Sequence, residues 1–408
     1  MLIDINKNPY KADFPLLATN SDIAYLDSAA TAQRPQVVLD AITNFYTSMN
    51  SNPLRGLYTL SQRATEAVDY ARSTVAKHIN ATSAKEIVFT RNASESLNLV
   101  ANTLGESVVE KGDDIVISIM EHHSNMLPWQ RIAKKKGANI VWLYPNEDGV
   151  ITQDSIDNTI TSKTKIVAVT YVSNVLGSTQ PIKQIADRVH GFGGYIVVDA
   201  CQAAPHISLD VQDLNCDFLA MSAHKFGGPM GIGMLYGKLD LLEKIPPFLV
   251  GGEMIEYVTQ DSATWAEVPY KFEAGTQDAA GIYASAKALE YMNSIGLDTI
   301  QDREEALTKY LMDELKALGF ISILGPSDAK GHTGAVSFNV DGIHPHDVSS
   351  ILDGSNVAIR AGMHCAQPLL TWLGESSSCR ASISYYNDKQ DIDKLISGLK
   401  EVWSIFNG

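Results

Sequence analysis

Phe218-Leu-Ala-Met-Ser-Ala-His-Lys-Phe-Gly-Gly-Pro-Met-Gly-Ile-Gly233 is an apolar run that ends in a single lysine and a turn. Phe218 to Met221 reads as a buried strand, and the glycines and proline after Lys225 force a sharp change of direction. An ammonium at the mouth of a buried strand is costly to desolvate unless the site uses it. Burial lowers the proton affinity of an amine and frees it to form a Schiff base with an aldehyde. A lone Lys-Phe-Gly-Gly is more often a surface loop, so a second observation has to decide.

That observation lies upstream, in Tyr195-Ile-Val-Val-Asp-Ala-Cys-Gln202. Asp199 ends a near-continuous apolar strand, much as Lys225 follows one. An acid beside a pyridine nitrogen keeps it protonated, and the protonated ring takes up carbanion charge. Acid and amine at the ends of successive buried strands point to pyridoxal 5'-phosphate as cofactor.

Outward from this pair the pattern alternates. Short β-branched runs at Glu86 to Thr90, Asp114 to Ile119, Asn139 to Tyr144 and Lys165 to Tyr171 are separated by helical segments near 95–110, 126–136 and 181–190. A further helix is expected over 61–78. Near-continuous apolar strands alternating with helices predict an α/β fold with a mostly parallel sheet covered on both faces. Ligands in such sheets bind beyond the carboxyl ends of the strands, and the polar residues fall there. Thr90-Arg-Asn-Ala-Ser-Glu-Ser-Leu97 opens a helix suited to a phosphate, or is an ordinary helix cap. Met120-Glu-His-His-Ser-Asn125, Val172-Ser-Asn-Val-Leu-Gly177 and Phe272-Glu-Ala-Gly-Thr276 add imidazoles, Asn174 and a hydroxyl. Each is weak alone; together they describe one cleft.

Residues 1–20 read as a short arm, Asn52-Pro-Leu-Arg-Gly56 as a loop carrying one arginine, and a domain boundary falls near 290–296. The expected division is therefore 1–20, a large domain over 21–292 and a small α+β domain over 293–408. In the small domain, Ile300, Leu307, Leu311, Leu315 and Leu318 mark one face of a long helix. Strands are expected at 321–324, 334–340 and 380–384, with helices at 345–353 and from about 391. Val357 to Leu369 is a strand running into a loop that carries Cys365 beside His364. A thiol on a Gly-containing loop is a candidate nucleophile, because only the thiolate attacks. Downstream, the fork of Arg380 suits a carboxylate, or a structural ion pair.

The chain has 408 residues, 45% hydrophobic and 19% charged, with a formal net charge of −15. The negative balance argues against nucleic acid or an anionic membrane as main partner. No apolar run reaches membrane-spanning length and the N-terminus lacks the pattern of a signal or transit peptide, so a cytoplasmic location is expected. Four cysteines without CxxC spacing argue against a zinc knuckle or a thioredoxin-type pair and no metal is expected; Cys201 and Cys216 read as small buried hydrophobes.

With Tyr25-Leu-Asp-Ser-Ala-Ala30, Ser222-Ala-His-Lys-Phe226, Lys271-Phe-Glu-Ala-Gly-Thr276, Arg360-Ala-Gly-Met-His-Cys-Ala-Gln-Pro368 and Cys379-Arg-Ala-Ser382, the chain resembles the class V, fold type I pyridoxal-phosphate family and, within it, the SufS-type group II cysteine desulfurases. The resemblance implies a seven-stranded sheet and a homodimer with shared sites. It implies Lys225 as the cofactor-binding lysine, Asp199 on the pyridinium nitrogen, His122 stacked on the ring, and Gln202 and Asn174 near the ring hydroxyl. Ser222, His224, Ser94 and the Ala93 backbone would hold the phosphate, with Thr276 reaching the phosphate of the other subunit. Arg380 would take the carboxylate of L-cysteine, with Asn174 beside it, and Cys365 its sulfur, to be passed to a SufU- or SufE-like acceptor for iron–sulfur cluster assembly. Three departures stand out: Asn92-Ala-Ser94 for the usual Gly-Thr-Thr, Met363 for a first histidine, and Lys271 for an arginine. His344-Pro-His-Asp347 is part of a docking surface or a solvated helix turn. Selenocysteine lyase, class V aminotransferase and a non-catalytic sulfur-trafficking scaffold are the alternatives.

Overall fold

A computed structural model describes residues 3–54 and 56–408. Met1, Leu2 and Arg55 lie outside the described residues, and with Arg55 the arginine expected in the 52–56 loop.

The β-branched runs form one seven-stranded sheet. Its spatial order is Ile87–Thr90, Gly233–Gly237, Phe218–Ser222, Tyr195–Asp199, Thr164–Thr170, Asp114–Ser118 and Asn139–Leu143. Gly233–Gly237 runs antiparallel to both neighbours, and the other described pairings are parallel. The continuous apolar runs hide a strict alternation. Val167, Val169, Ile196, Val198, Leu219 and Met221 enter one core, whereas Ile166, Ala168, Val197, Phe218 and Ala220 enter the other. Both faces are therefore buried, which is why the pattern reads as unbroken in the sequence.

Helices Thr59–His78, Ala279–Ile295, Ile182–His190 and Leu127–Lys136 cover the two faces. The expected 95–110 helix begins earlier, at Ala93, and changes to π geometry over Ala101–Gly105. The helices Gln36–Asn44 and Ala279–Ile295, and the hairpin pairing Ile255–Val258 with Ala263–Trp265, have no counterpart in the sequence reading. In Ala279–Ile295 the apolar positions are mostly alanines and small residues, which carry little periodic signal.

The second layer is a four-stranded antiparallel sheet in the order Ile321–Leu324, Ala335–Val340, Ser378–Ser382, Arg360–Gly362. Helices Leu297–Ala317, Pro345–Gly354 and Lys389–Asn407 pack on it around Leu307, Leu311, Phe338, Cys379 and Leu395. Ala24–Tyr25 pairs with Val357–Ala358, and Ala24 and Leu26 are buried in this second core. The strand leading to Asp27 is thus carried by the second layer and faces the ends of the first sheet. Among the described residues no helix is long and apolar enough to cross a membrane.

Candidate active site

The strand ends of the large sheet open into one cavity of about 400 Å³. That volume lies within the range of small-ligand sites, which is about 300–1,000 Å³. Residues that follow four parallel strands line it: His122, Asn174, Asp199 with Gln202, and Ser222 with Lys225.

Lys225 stands in a single 3-10 turn immediately after Phe218–Ser222. Its Nζ donates to the carbonyls of Ala29 and Ala30, the latter at 3.1 Å. Burial pulls this amine down to about 8, against a partial offset from its neighbours Cys201 and Asp199. Gln202 donates to the same Ala29 carbonyl at 2.8 Å, so the small-residue turn 28–31 is held against the lysine from two sides. Asp199 is 5% exposed and accepts from the Cys201 backbone N–H at 3.0 Å.

Opposite, helix Ala93–Val100 begins with Asn92 as its cap, whose side chain accepts from the Glu95 N–H at 3.0 Å. The Ala93 N–H donates to Ser222 Oγ at 2.8 Å, and the Ser94 and Ser124 hydroxyls lie 2.5 Å apart. Ala93, Ser94, Ser222 and His224 are thus gathered at a helix N-terminus, where backbone N–H groups and the helix dipole favour an anion. His224 is held down at about 4 by burial and by Lys225. His122 is likewise lowered by burial, and its Nδ1 accepts from the Ser124 N–H at 3.1 Å, which leaves the proton on Nε2. Glu121, fully buried, accepts from the Thr170 N–H and from Asn125, and so fixes the loop that carries His122.

The thiol arrives from the other layer. Cys365 is exposed and lines the same cavity as Lys225. Its loop is tied to the large sheet at two points. Asn174 Nδ2 donates to the His364 carbonyl and the His123 N–H donates to the Cys365 carbonyl, both at 2.8 Å. His364 and Cys365 both have left-handed backbone angles, φ 49° and 57°. Two consecutive non-glycine residues there cost of the order of 1–2 kcal/mol each, a strain that persists only where the surroundings enforce it. Arg380, 2% exposed, donates to the Asn174 carbonyl at 2.9 Å and reaches Asp27 at 3.2 Å. Burial pulls its guanidinium down to about 10, and its Nε is buried without a partner.

A family model for class V aminotransferases matches residues 24–395, nearly all of the chain that builds this cavity. The chain belongs to the class V aminotransferase family. Among class V relatives, a probable cysteine desulfurase of Halalkalibacterium halodurans is 45% identical over 405 residues, covering 98% of this chain and 99% of the relative. The apo structure of a cysteine desulfurase from Thermococcus onnurineus NA1 superposes with a TM-score of 0.93 at 38% identity, over 98% of this chain and 99% of that one. The cysteine desulfurase CsdA of Escherichia coli, solved as an S-sulfonic acid, gives 0.88 at 35% identity, over 97% and 98%. The chain therefore has the class V, fold type I architecture of pyridoxal-phosphate enzymes and sits among their cysteine desulfurases.

Within this class V frame the cavity gathers every residue for which the resemblance implies a catalytic, cofactor or substrate role except Thr276. That residue is exposed and lines a separate hollow with Thr90, Arg91, Phe248 and Asp278. Cys201 is only partly buried: it packs beside a core of the large sheet, as expected of a small hydrophobe, and also lines the cavity. Cys216 is buried as expected, and burial pushes its thiol up to about 12. Sequence reasoning missed Asp27, which bridges Arg360 at 2.9 Å and Arg380 at 3.2 Å. The only signal was the polar residue inside the small-residue run 25–30. Lys271 is buried away from the cavity, donating at 2.9 Å to the carbonyls of Glu243 and Ile245. Its charge is spent on the end of helix Leu239–Lys244, which needs a donor and not a planar fork.

Proposed function

We propose that this cavity converts L-cysteine to L-alanine, leaves the sulfur on Cys365 as a persulfide, and passes it to a SufU- or SufE-like acceptor for iron–sulfur cluster assembly. One observation carries the reading: the loop of Cys365 is hydrogen-bonded to Asn174 and His123 at the mouth of the cavity that holds Lys225. A class V enzyme that moves only amino groups has no use for a thiol strained into that place.

The donor set fits pyridoxal phosphate. An anion seat, a buried acid and a proton-poor amine line one cavity, and these are the partners of a phosphate, a pyridinium nitrogen and an aldehyde. Lys225 would carry the cofactor, Asp199 would meet the ring nitrogen, and His122 would lie on the ring with Gln202 and Asn174 at its edge. Ala93, Ser94, Ser222 and His224 would hold the phosphate. When bound, the cofactor supplies an electron sink for the carbanion formed at the substrate carbon.

The residues of the chain do the rest. Arg380 offers its guanidinium, in the cavity wall beside Asn174, to the substrate carboxylate. Lys225, with an amine near neutral pH, removes the Cα proton and later returns one. The thiolate of Cys365 forms a bond to the substrate sulfur as the Cβ–S bond breaks, and the electron pair of that bond stays with carbon. We further propose that two copies pair so that Thr276 reaches the anion seat of its neighbour, that 21–292 and 293–408 work as two units, and that the enzyme acts in the cytoplasm.

Replacing Cys365 with alanine tests the reading. The expected result is loss of alanine release and of the persulfide mass on the protein, with the cofactor absorbance retained. Undiminished alanine release from L-cysteine in that variant would overturn it and favour a lyase that needs no thiol.

A further inference from the structure

Ser124 lines the cavity beside Ser94 and His122. It stands in the 3-10 turn His123–Asn125, and that turn is anchored on both sides. Glu121, fully buried, accepts from the Thr170 N–H at 2.7 Å and from Asn125 at 2.6 Å. Asn125 in turn accepts from the Trp129 indole at 3.2 Å. Ser94 is exposed and Ser124 half-buried, so a ligand in the cavity can reach this pair.

The two hydroxyl oxygens lie 2.5 Å apart. Oxygens that close need a proton between them, so one hydroxyl donates to the other. The pair has two protons, and this contact uses one. The second has a weak claim on it inside the protein. Ser124 Oγ is 3.0 Å from His122 Nδ1, but that nitrogen already accepts the Ser124 backbone N–H at 3.1 Å, and a neutral ring nitrogen has a single lone pair. An anion in the cavity is the better acceptor.

The seat has need of it. Ala93 has no side-chain donor, and its N–H is spent on Ser222 Oγ at 2.8 Å. A hydroxyl that donates to a second hydroxyl, which donates to an anion, polarises it, and the chain is stronger than its last bond alone. We propose that Ser124 is a further residue of the phosphate seat, acting with Ser94 as one hydroxyl pair that presents a single proton to the cofactor phosphate. This inference rests on the proposed placement of the phosphate at Ala93, Ser94, Ser222 and His224, and it adds a donor from a different strand end.

The test is cofactor binding rather than turnover. Cofactor-free protein is titrated with pyridoxal 5'-phosphate and, separately, with pyridoxal, which keeps the ring and aldehyde and lacks the phosphate; absorbance reads both. Ser124→Ala should weaken binding of pyridoxal phosphate threefold or more and leave pyridoxal within twofold. A smaller loss would make Ser124 a bystander, and a loss shared by pyridoxal would make it a support for His122 or for the fold. Either overturns the proposal. Each substitution removes one oxygen from a residue that is not buried, so the cofactor-free variants should unfold at the same temperature as the unsubstituted protein.

Ser94→Ala completes the cycle. Because the pair presents one proton, the double variant should bind pyridoxal phosphate within twofold of the weaker single variant. Losses that multiply would show two independent hydroxyls and overturn the pairing. If neither single variant distinguishes pyridoxal phosphate from pyridoxal, the phosphate lies elsewhere and the seat falls with this inference. If Ser94→Ala does and Ser124→Ala does not, the seat stands and Ser124 has no part in it.

Discussion

The carboxylate of Asp27 lies 3.2 Å from Nη2 of Arg380, a guanidinium that is otherwise buried against the backbone of Asn174. The arginine proposed to take the substrate carboxylate is therefore already neutralised on one edge by a residue more than 350 positions away. Removing one partner of a buried pair leaves the other charge uncompensated, at a cost of roughly 3–5 kcal/mol when both are fully buried. Asp27 is partly solvated, so Asp27→Asn should cost less, about 1–3 kcal/mol, even though it leaves Arg360 and Arg380 facing each other as two cations. Denaturant unfolding measures this. In the loaded variant L-alanine should raise Tm by more than in the unsubstituted protein, because its carboxylate replaces the missing charge.

Lys225 sets a pH dependence. Its amine is lowered from 10.5 to about 8, so half of it is uncharged near pH 8. Uptake of the aldehyde cofactor by the cofactor-free protein needs the uncharged amine. The uptake rate, followed by absorbance, should therefore rise with pH through a midpoint near 8 and level off above it. A rate still climbing steeply at pH 10 would show an amine that burial has not altered. Between about pH 8 and 10.5 the unfolded lysine also binds more protons than the folded one, so this group makes stability rise with pH across that window.

The four cysteines should react in a fixed order. Cys365 is exposed and should be alkylated first. Cys201 lines the cavity, but burial and Asp199 push its thiol well up, so it should react slowly, and only when the cofactor is absent. Cys216 and Cys379, buried and pushed up to about 12, should react only on unfolding. Peptide mass mapping of alkylated protein, with and without cofactor, reads all four at once. Labelling of Cys201 that ignores the cofactor would remove it from the cavity wall.

Asn174 joins the two layers. Asn174→Ala deletes the hydrogen bond to the His364 carbonyl and leaves that carbonyl buried without its partner, worth about 1–3 kcal/mol. The strained loop should then sample other positions, lowering persulfide formation by about tenfold or more per 1.4 kcal/mol lost from the reactive geometry. Asn174 also stands at the proposed edge of the cofactor, so persulfide formation is expressed per bound cofactor, read from its absorbance. A variant that forms persulfide at the original rate would show that the loop is held by the His123 contact alone.

Much of this site is legible in the chain before it folds. A fully buried parallel sheet demands unbroken apolar runs, and polar residues placed just beyond such runs can only gather along one edge. Tyr195 to Gln202 and Phe218 to Phe226 therefore announce an acid and an amine beside a common cleft, and Thr90 to Leu97 announces a helix start. These are local rules of periodicity, turn chemistry and capping, each satisfied within about ten residues.

What needed the folded chain is of another kind. That the Cys365 loop meets Asn174 and that Asp27 occupies one edge of Arg380 both depend on how two separately formed sheets dock. Periodicity says which face of a strand is buried, but it carries no information about which distant backbone group a buried side chain will meet. Those meetings are set by the packing of the two layers, where each polar group must find a partner across the seam or remain, like Nδ1 of His364, buried without one.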